Sequence, residues 1–183
     1  VSGGGGALAS SFRFCPSCGA PEPTFLEGKR WLCSACGFEY FHNVAAAAGV
    51  VLERSGEILL LERAKEPRKG ALGLPGGFVD PHESAEEAVI RECREEIGWA
   101  PPELTFIGSF PNGYEYGGVA YNTCDLFYYY RWPEGSALPT FALGDGESLA
   151  LRFIPLSGLN PERLAFQSTA RAIEAYRGMR PSA

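Results

Sequence analysis

The stretch GFVDPHESAEEAVIRECREEIGW, residues 77–99, decides how this chain is read. Its second half predicts a helix over Ala85–Ile97. Ser84 followed by Glu87 is a capping box, in which a hydroxyl and a carboxylate satisfy each other's backbone N–H groups. Ala85, Ala88, Val89 and Cys93 recur at helical spacing and make one apolar stripe. Gly98 supplies the stop. Six of the 22 acidic residues fall between Glu83 and Glu96.

On that helix Glu92, Glu95 and Glu96 stand at i, i+3 and i+4 and share a face. Like charges at this spacing repel by about 0.2–0.5 kcal/mol per pair. Glu95 and Glu96 also lie in the last turn, where the helix dipole disfavours anions. Stability alone gives no reason for three carboxylates there. A solvated acidic face is the plain reading of the bare pattern. A hard divalent cation, Mg²⁺ or Mn²⁺, takes oxygen ligands and offsets both penalties. Arg91 lies four residues from Glu87 and from Glu95 and can hold a carboxylate in place. Just upstream, Gly73-Leu74-Pro75-Gly76-Gly77 is turn-rich, and paired glycines let backbone approach an ion or phosphate closely.

From Gly77 the chain runs through five residues to Glu83, then seven residues to Arg91-Glu92-Cys93-Arg94-Glu95-Glu96-Ile97-Gly98-Trp99. This resembles the Nudix box, G-x5-E-x7-R-E-U-x-E-E-x-G-U, with U a bulky aliphatic residue. Gly77, Glu83, Arg91, Glu92, Glu95, Glu96 and Gly98 fill its fixed positions, while Cys93 and Trp99 replace aliphatics. The resemblance implies an α/β fold, an α/β/α sandwich with a mixed sheet. It implies hydrolysis of the pyrophosphate bond of a nucleoside diphosphate derivative. Glu92, Glu95 and Glu96 would hold Mg²⁺ or Mn²⁺, with an oxygen from the Gly76–Gly77 backbone. Glu92 would also take the proton from water, and Glu83 would orient Arg91 or stand behind the ligands. Many Nudix proteins place a further metal-binding carboxylate in a loop, for which Glu147 and Glu115 are candidates.

Before the box lie two C-x-x-C-G units, Cys15-Pro-Ser-Cys18-Gly19 and Cys33-Ser-Ala-Cys36-Gly37. Thiolates two residues apart on a tight turn can reach one ion, and the glycine that follows allows the turn. Two disulfides are the rival; the spacing and the lack of a secretory signal favour zinc. The segment resembles a zinc ribbon, with Phe14, Phe25, Trp31, Phe38, Tyr40 and Phe41 as its small apolar face. A closed four-cysteine Zn²⁺ site is structural, because it leaves no position for substrate. His42 is not required as a ligand. Cys93 and Cys124 read as buried thiols in a reducing compartment.

A ribbon ahead of a Nudix domain is similar to the layout of NADH pyrophosphatases. Those carry S-Q-P-W-P-F-P-x-S after the box, where this chain has Ser109-Phe110-Pro111-Asn112-Gly113-Tyr114. Only the serine and a proline echo it. The layout points to ADP-ribose or an NAD(H)-type dinucleotide and leaves the choice open. A non-catalytic nucleotide sensor that binds a partner through the ribbon is the competing class; the intact carboxylate set argues against it. The same layout implies a homodimer.

The expected organisation is a Gly-rich leader at 1–11, a zinc ribbon at 12–42 and a Nudix hydrolase domain at 43–183. An apolar content of 45% suits a packed core. A net charge of −6 and a pI near 5.0 disfavour unspecific nucleic-acid binding, which needs Lys and Arg. No apolar run reaches the roughly 18 residues of a membrane span, and the start lacks a signal-peptide pattern, so the cytoplasm is expected. Strands are expected at 45–52, 57–63, 104–110, 121–132 and 148–154, with a polar loop at 136–146. A final helix is expected from Asn160-Pro161 to about residue 177. The turn-rich loop at 111–118 presents Tyr114 and Tyr116, which either stack on a nucleobase or cover the core or a subunit interface. Arg63, with Lys65, Arg68 and Lys69, belongs to a basic loop that is either solvated or touches substrate phosphate.

Overall fold

The computed structural model describes residues 12–116, 119–144 and 146–180; at 115, 116, 119 and 120 it describes the backbone only. Packing divides the chain into two compact units, Val1–Val44 with Gly113–Asn122, and Ala45–Asn112 with Thr123–Ala183.

In the first unit, β1 (Thr24–Leu26), β2 (Arg30–Leu32) and β3 (Glu39–Phe41) form a small antiparallel sheet. Its centre is Trp31, which is buried and surrounded by the rings of Phe12, Phe25, Tyr40 and His42 at 4.5–5.9 Å. Two aromatics expected on this face lie elsewhere: Phe14 and Phe41 are 62% and 48% exposed. Among the described residues of this unit Trp31 is the one buried aromatic, beside the buried Cys15 and Cys33; Phe12, not expected on this face, packs on it.

The second unit is organised by a hairpin that opens. β4 (Ala45–Arg54) and β5 (Glu57–Arg63) are joined through Ser55 and Gly56, both at positive φ, the backbone of a tight hairpin turn. They pair only at Glu53↔Ile58 and Arg54↔Glu57, and then diverge. The gap between them is filled by the glycine segment: β6 (Leu72–Gly73) pairs with β5, and β7 (Gly76–Phe78) pairs with β4. β9 (Val119–Arg131) runs parallel to β4 on its other side, from Ala45↔Thr123 to Glu53↔Arg131. β8 (Thr105–Tyr116) follows β9, and β10 (Ser148–Pro155) pairs antiparallel with β5. The sheet order is β10-β5-β4-β9-β8.

Alternation along these strands sends side chains to two faces. Val51, Ile58, Leu60 and Phe127 pack with α2 (Gln167–Met179), through Ala172, Ile173 and Tyr176. Val50, Leu52, Leu59, Leu61 and Tyr128 pack with α1 (Ala85–Ile97), through Ala88, Val89, Cys93 and Ile97. Each fully buried aliphatic side chain contributes about 1.5–3 kcal/mol. The result is an α/β/α sandwich around a mixed sheet. Neither helix of this unit is long and apolar enough to cross a membrane.

The capping box forms as expected, with the Glu87 N–H on Ser84 Oγ at 3.2 Å and the Ser84 N–H on Glu87 Oε2 at 2.8 Å. Gly98 ends α1 in the left-handed conformation. Three expectations need correction. The loop expected at 111–118 is largely strand, since β8 continues to Tyr116 and β9 begins at Val119. Pairing with a neighbouring strand overrides the turn character of Pro111, Asn112 and Gly113. The final helix does not start at Asn160. The Asn160 side chain accepts the Glu162 N–H at 3.0 Å, but caps only a 3-10 turn, Pro161–Arg163. Leu164 and Ala165 then dip into the core, and the Ala165 N–H bonds Leu72 O, so α2 begins at Gln167. Finally, Cys93 is buried but Cys124 only half-buried.

A buried charge ties β4, β9 and α2 together. Glu53 is 2% exposed. Its carboxylate accepts from Tyr176 Oη and Arg131 Nε, both at 2.5 Å, from the Gly56 N–H at 2.9 Å, and from Arg180 Nη2 at 3.3 Å. Burial raises its pKa, but these donors outweigh burial and hold it below the ordinary value. The stability this provides is therefore fully present above the unfolded pKa of about 4.3 and is lost as pH falls through the lower folded value. Replacing Glu53 by Gln leaves Arg131 without its carboxylate beside the core, bonded to Tyr176 Oη. We expect a loss of about 3 kcal/mol at pH 7 in urea denaturation, and a smaller loss at pH 3, where the wild-type advantage fades.

Candidate functional site

The opened hairpin fixes where the glycine segment meets α1. At Gly76 the strands touch backbone to backbone: a Cβ there would lie 2.6 Å from Gly49 Cα, and φ is +142°. Any side chain at Gly76 would push β7 off β4. The adjacent residue, Gly77, faces α1, and a Cβ on it would lie 2.6 Å from Glu92 Cδ. The missing side chain is thus what lets the Glu92 carboxylate rest on the strand. The Gly76 N–H donates to Glu96 Oε2 at 2.9 Å, which ties the far end of the helix to the same strand.

Arg91 organises the carboxylates. Its Nε and Nη2 donate to the two oxygens of Glu83 at 3.0 and 3.1 Å, a bidentate fork that fixes the guanidinium plane. Nη2 also donates to Phe78 O at 3.0 Å. Nη1 is aimed at the helix face, 2.7 Å from Glu92 Oε1 and 3.3 Å from Glu95 Oε2. Glu83 in turn accepts the Asp80 N–H at 3.0 Å. The Arg91 bonds, then the Asp80 N–H, hold the Glu83 carboxyl below the usual range. The geometry places one clamp, Glu83 and Arg91, behind Glu92 and Glu95, with Glu96 held from the strand. The donor set is all carboxylate, which suits a hard cation. The carboxylates are not drawn into a closed cluster: among the described residues the one group of three or more ligand side chains within 4.8 Å of one another is made of cysteines.

That group is Cys15, Cys18, Cys33 and Cys36. Cys15 Sγ and Cys36 Sγ stand 3.8 Å apart, and Cys18 Sγ and Cys33 Sγ 3.7 Å, so no pair is bonded. Each C-x-x-C turn closes with a glycine at positive φ, Gly19 at +73° and Gly37 at +74°. Burial raises the Cys15 pKa, but the N–H groups of Cys18 and Ser17 and the nearby thiols outweigh it and bring it down to about 7. The four thiols could hold a metal ion.

The remaining candidates fall elsewhere. Glu147 is exposed and pairs with Lys65 at 2.8 Å. Arg63 Nε donates to Pro67 O at 3.0 Å, and its guanidinium lies 5.2 Å from the Phe166 ring centre, so it braces its own loop. Tyr114 is half-buried, while the side chains of Glu115 and Tyr116 lie outside the described residues. One support escaped the sequence reading. The loop after β9 caps the acidic helix: the Ala142 N–H bonds Ile97 O at 3.0 Å and the Gly144 N–H bonds Glu96 O at 3.3 Å. A Cβ on Gly144 would collide with Glu95 O, and this long-range approach leaves no local signal beyond the glycine itself.

A family model of the NUDIX domain matches residues 42–176. Among curated proteins, the chain is 37% identical over 95 residues to the NAD-capped RNA hydrolase NudC of Stutzerimonas stutzeri, covering 51% of this chain and 33% of that one. It is 42% identical over 71 residues to the ADP-ribose pyrophosphatase of Methanocaldococcus jannaschii, covering 39% and 41%. It thus spans well under half the length of these relatives. Among solved structures, the NUDIX domain of Shewanella oneidensis NrtR complexed with ADP ribose superposes with a TM-score of 0.62 at 22% identity, over 76% of this chain and 90% of that one. A MutT NUDIX hydrolase from Burkholderia pseudomallei superposes with a TM-score of 0.59 at 27% identity, over 73% and 98%. With the family match extending across residues 42–176, the chain belongs to the NUDIX domain family.

Proposed function

We propose that this chain hydrolyses the pyrophosphate bond of ADP-ribose or an NAD-type dinucleotide, with Mg²⁺ or Mn²⁺ held by Glu92, Glu95 and Glu96. The observation that carries this reading is the intact acidic face, fixed from behind by the Glu83–Arg91 fork and seated on side-chain-free Gly77. Divalent metal bound there supplies charge neutralisation at the phosphates and makes water acidic enough to attack near neutral pH. Glu92, pressed on the strand and half-buried, is the residue we assign to accept the proton of that water. Arg91 positions Glu92 and Glu95, and Glu83 positions Arg91. The names of two relatives, an NAD-capped RNA hydrolase and an ADP-ribose pyrophosphatase, support the substrate class.

For the four thiols we propose a structural Zn²⁺. Four sulfurs about 2.3 Å from one tetrahedral centre stand about 3.8 Å apart, and the observed separations are 3.7 and 3.8 Å. A unit whose core is one tryptophan cannot stand on apolar burial alone.

Two experiments test these assignments. With Mn²⁺ or Mg²⁺ and a panel of ADP-ribose, NADH and NAD⁺, the full chain should release AMP. E92Q should lower kcat by about 100-fold or more. E83Q should lower it about 10–100-fold with little change in the thermal midpoint. Full activity in E92Q would refute the site, and AMP release from no member of the panel would refute the substrate class. The purified chain should carry about one zinc, and chelation should collapse the amide dispersion of residues 12–42 while leaving α1 and α2 folded. A zinc-free sample that keeps this dispersion would refute the structural ion.

A further inference from the structure

β9 buries two polar side chains whose bonding is incomplete. Thr123 is 3% exposed and Asp125 7%. Ser168 Oγ, on the first turn of α2, donates to Asp125 Oδ2 at 2.6 Å. Asp125 Oδ1 and Thr123 Oγ1 are buried and meet no hydrogen-bond partner. Buried oxygens in folded proteins are nearly always satisfied, so two orphans on adjacent positions of one strand face call for a ligand.

The strand register shows what surrounds them. Asp125 lies beside Ala47 of β4, which lies beside Phe78 of β7. In the next row Phe127 lies beside Gly49 and Gly49 beside Gly76; in the row before, Thr123 lies beside Ala45. Partners in register share a face, so Thr123 and Asp125 border Ala45 and Ala47, whose side chains are single methyl groups; this floor ends at Gly49, which is buried against the Phe127 ring. Ala45 and Ala47 are half-exposed and Phe78 is 41% exposed, so this floor opens to solvent. It starts one residue from the carboxylates: along β7, Gly77 faces Glu92, and Gly76 and Phe78 face the opposite side.

A flat floor admits a thin, planar ligand. Asp125 Oδ1 accepts an N–H, and the adjacent Thr123 hydroxyl can donate to a ring nitrogen. We propose that Thr123 and Asp125 determine specificity for a base carrying an amino group beside a ring nitrogen, as adenine does, seated on Ala45 and Ala47. This rests on the reading of the chain as a nucleotide hydrolase and assigns the residues that read the adenine common to both proposed substrates. Hypoxanthine has the same outline with a carbonyl in place of the amino group, and Asp125 would face an acceptor.

The test compares AMP with IMP by titration calorimetry on the full chain, and ADP-ribose with its hypoxanthine counterpart in hydrolysis. Wild type should bind AMP at least about tenfold more tightly than IMP. T123V and D125N, with unchanged thermal midpoints, should bring that ratio within about twofold of unity. Equal binding of AMP and IMP by wild type, or binding of neither, overturns the proposal, as does a wild-type ratio retained in both folded variants. Should D125N not fold, T123V alone decides. Discrimination between AMP and IMP without hydrolysis of ADP-ribose or of its hypoxanthine counterpart would sustain this inference and refute the hydrolase reading.

Discussion

The structure depends on one close approach, the backbone contact of Gly76 with Gly49. β4 and β5 start as a hairpin and split, and the glycine segment enters the split because neither strand presents a side chain at that point. Everything at the candidate site follows from this seating. Gly77 is turned to Glu92, the Gly76 N–H reaches Glu96, and Phe78 O meets Arg91. The opposite side of the same short strand borders the floor under Asp125. A three-residue strand thereby sets both faces.

The two units solve the stability problem by different means. The sandwich buries two aliphatic layers and supports a buried carboxylate with four donors. The small unit has one buried tryptophan and four clustered thiols. In a segment of that size the proposed Zn²⁺ would do the work of a core.

What was legible in the sequence was local. The helix at Ala85–Ile97, with its cap, stop and apolar stripe, is encoded within a few residues of itself, and the structure reproduces it to the residue. The carboxylate face and the C-x-x-C turns are local spacings too. The misses were long-range. Strand pairing turned Pro111, Asn112 and Gly113 from loop into β8. A demand for core contacts at Leu164 and Ala165 delayed α2 to Gln167 despite a good cap at Asn160. Asp125 gave no signal, because its neighbours come from β4 and α2, far away in sequence. Glu147, singled out by analogy with the extra loop carboxylate of Nudix proteins, pairs with Lys65, and Arg63, singled out within a basic loop, donates to Pro67 O.

The central claim is that the acidic face of α1, together with the glycine strand, is a divalent-metal site. The most direct measurement is a titration of the ¹⁵N-labelled full chain with substoichiometric Mn²⁺, followed by paramagnetic broadening of the amide signals. The account predicts early, local broadening at Gly76, Gly77 and the last turns of α1 around Glu92, Glu95 and Glu96, and its loss in E92Q. Broadening spread evenly over the exposed acidic surface, or centred on another part of the chain, would contradict it.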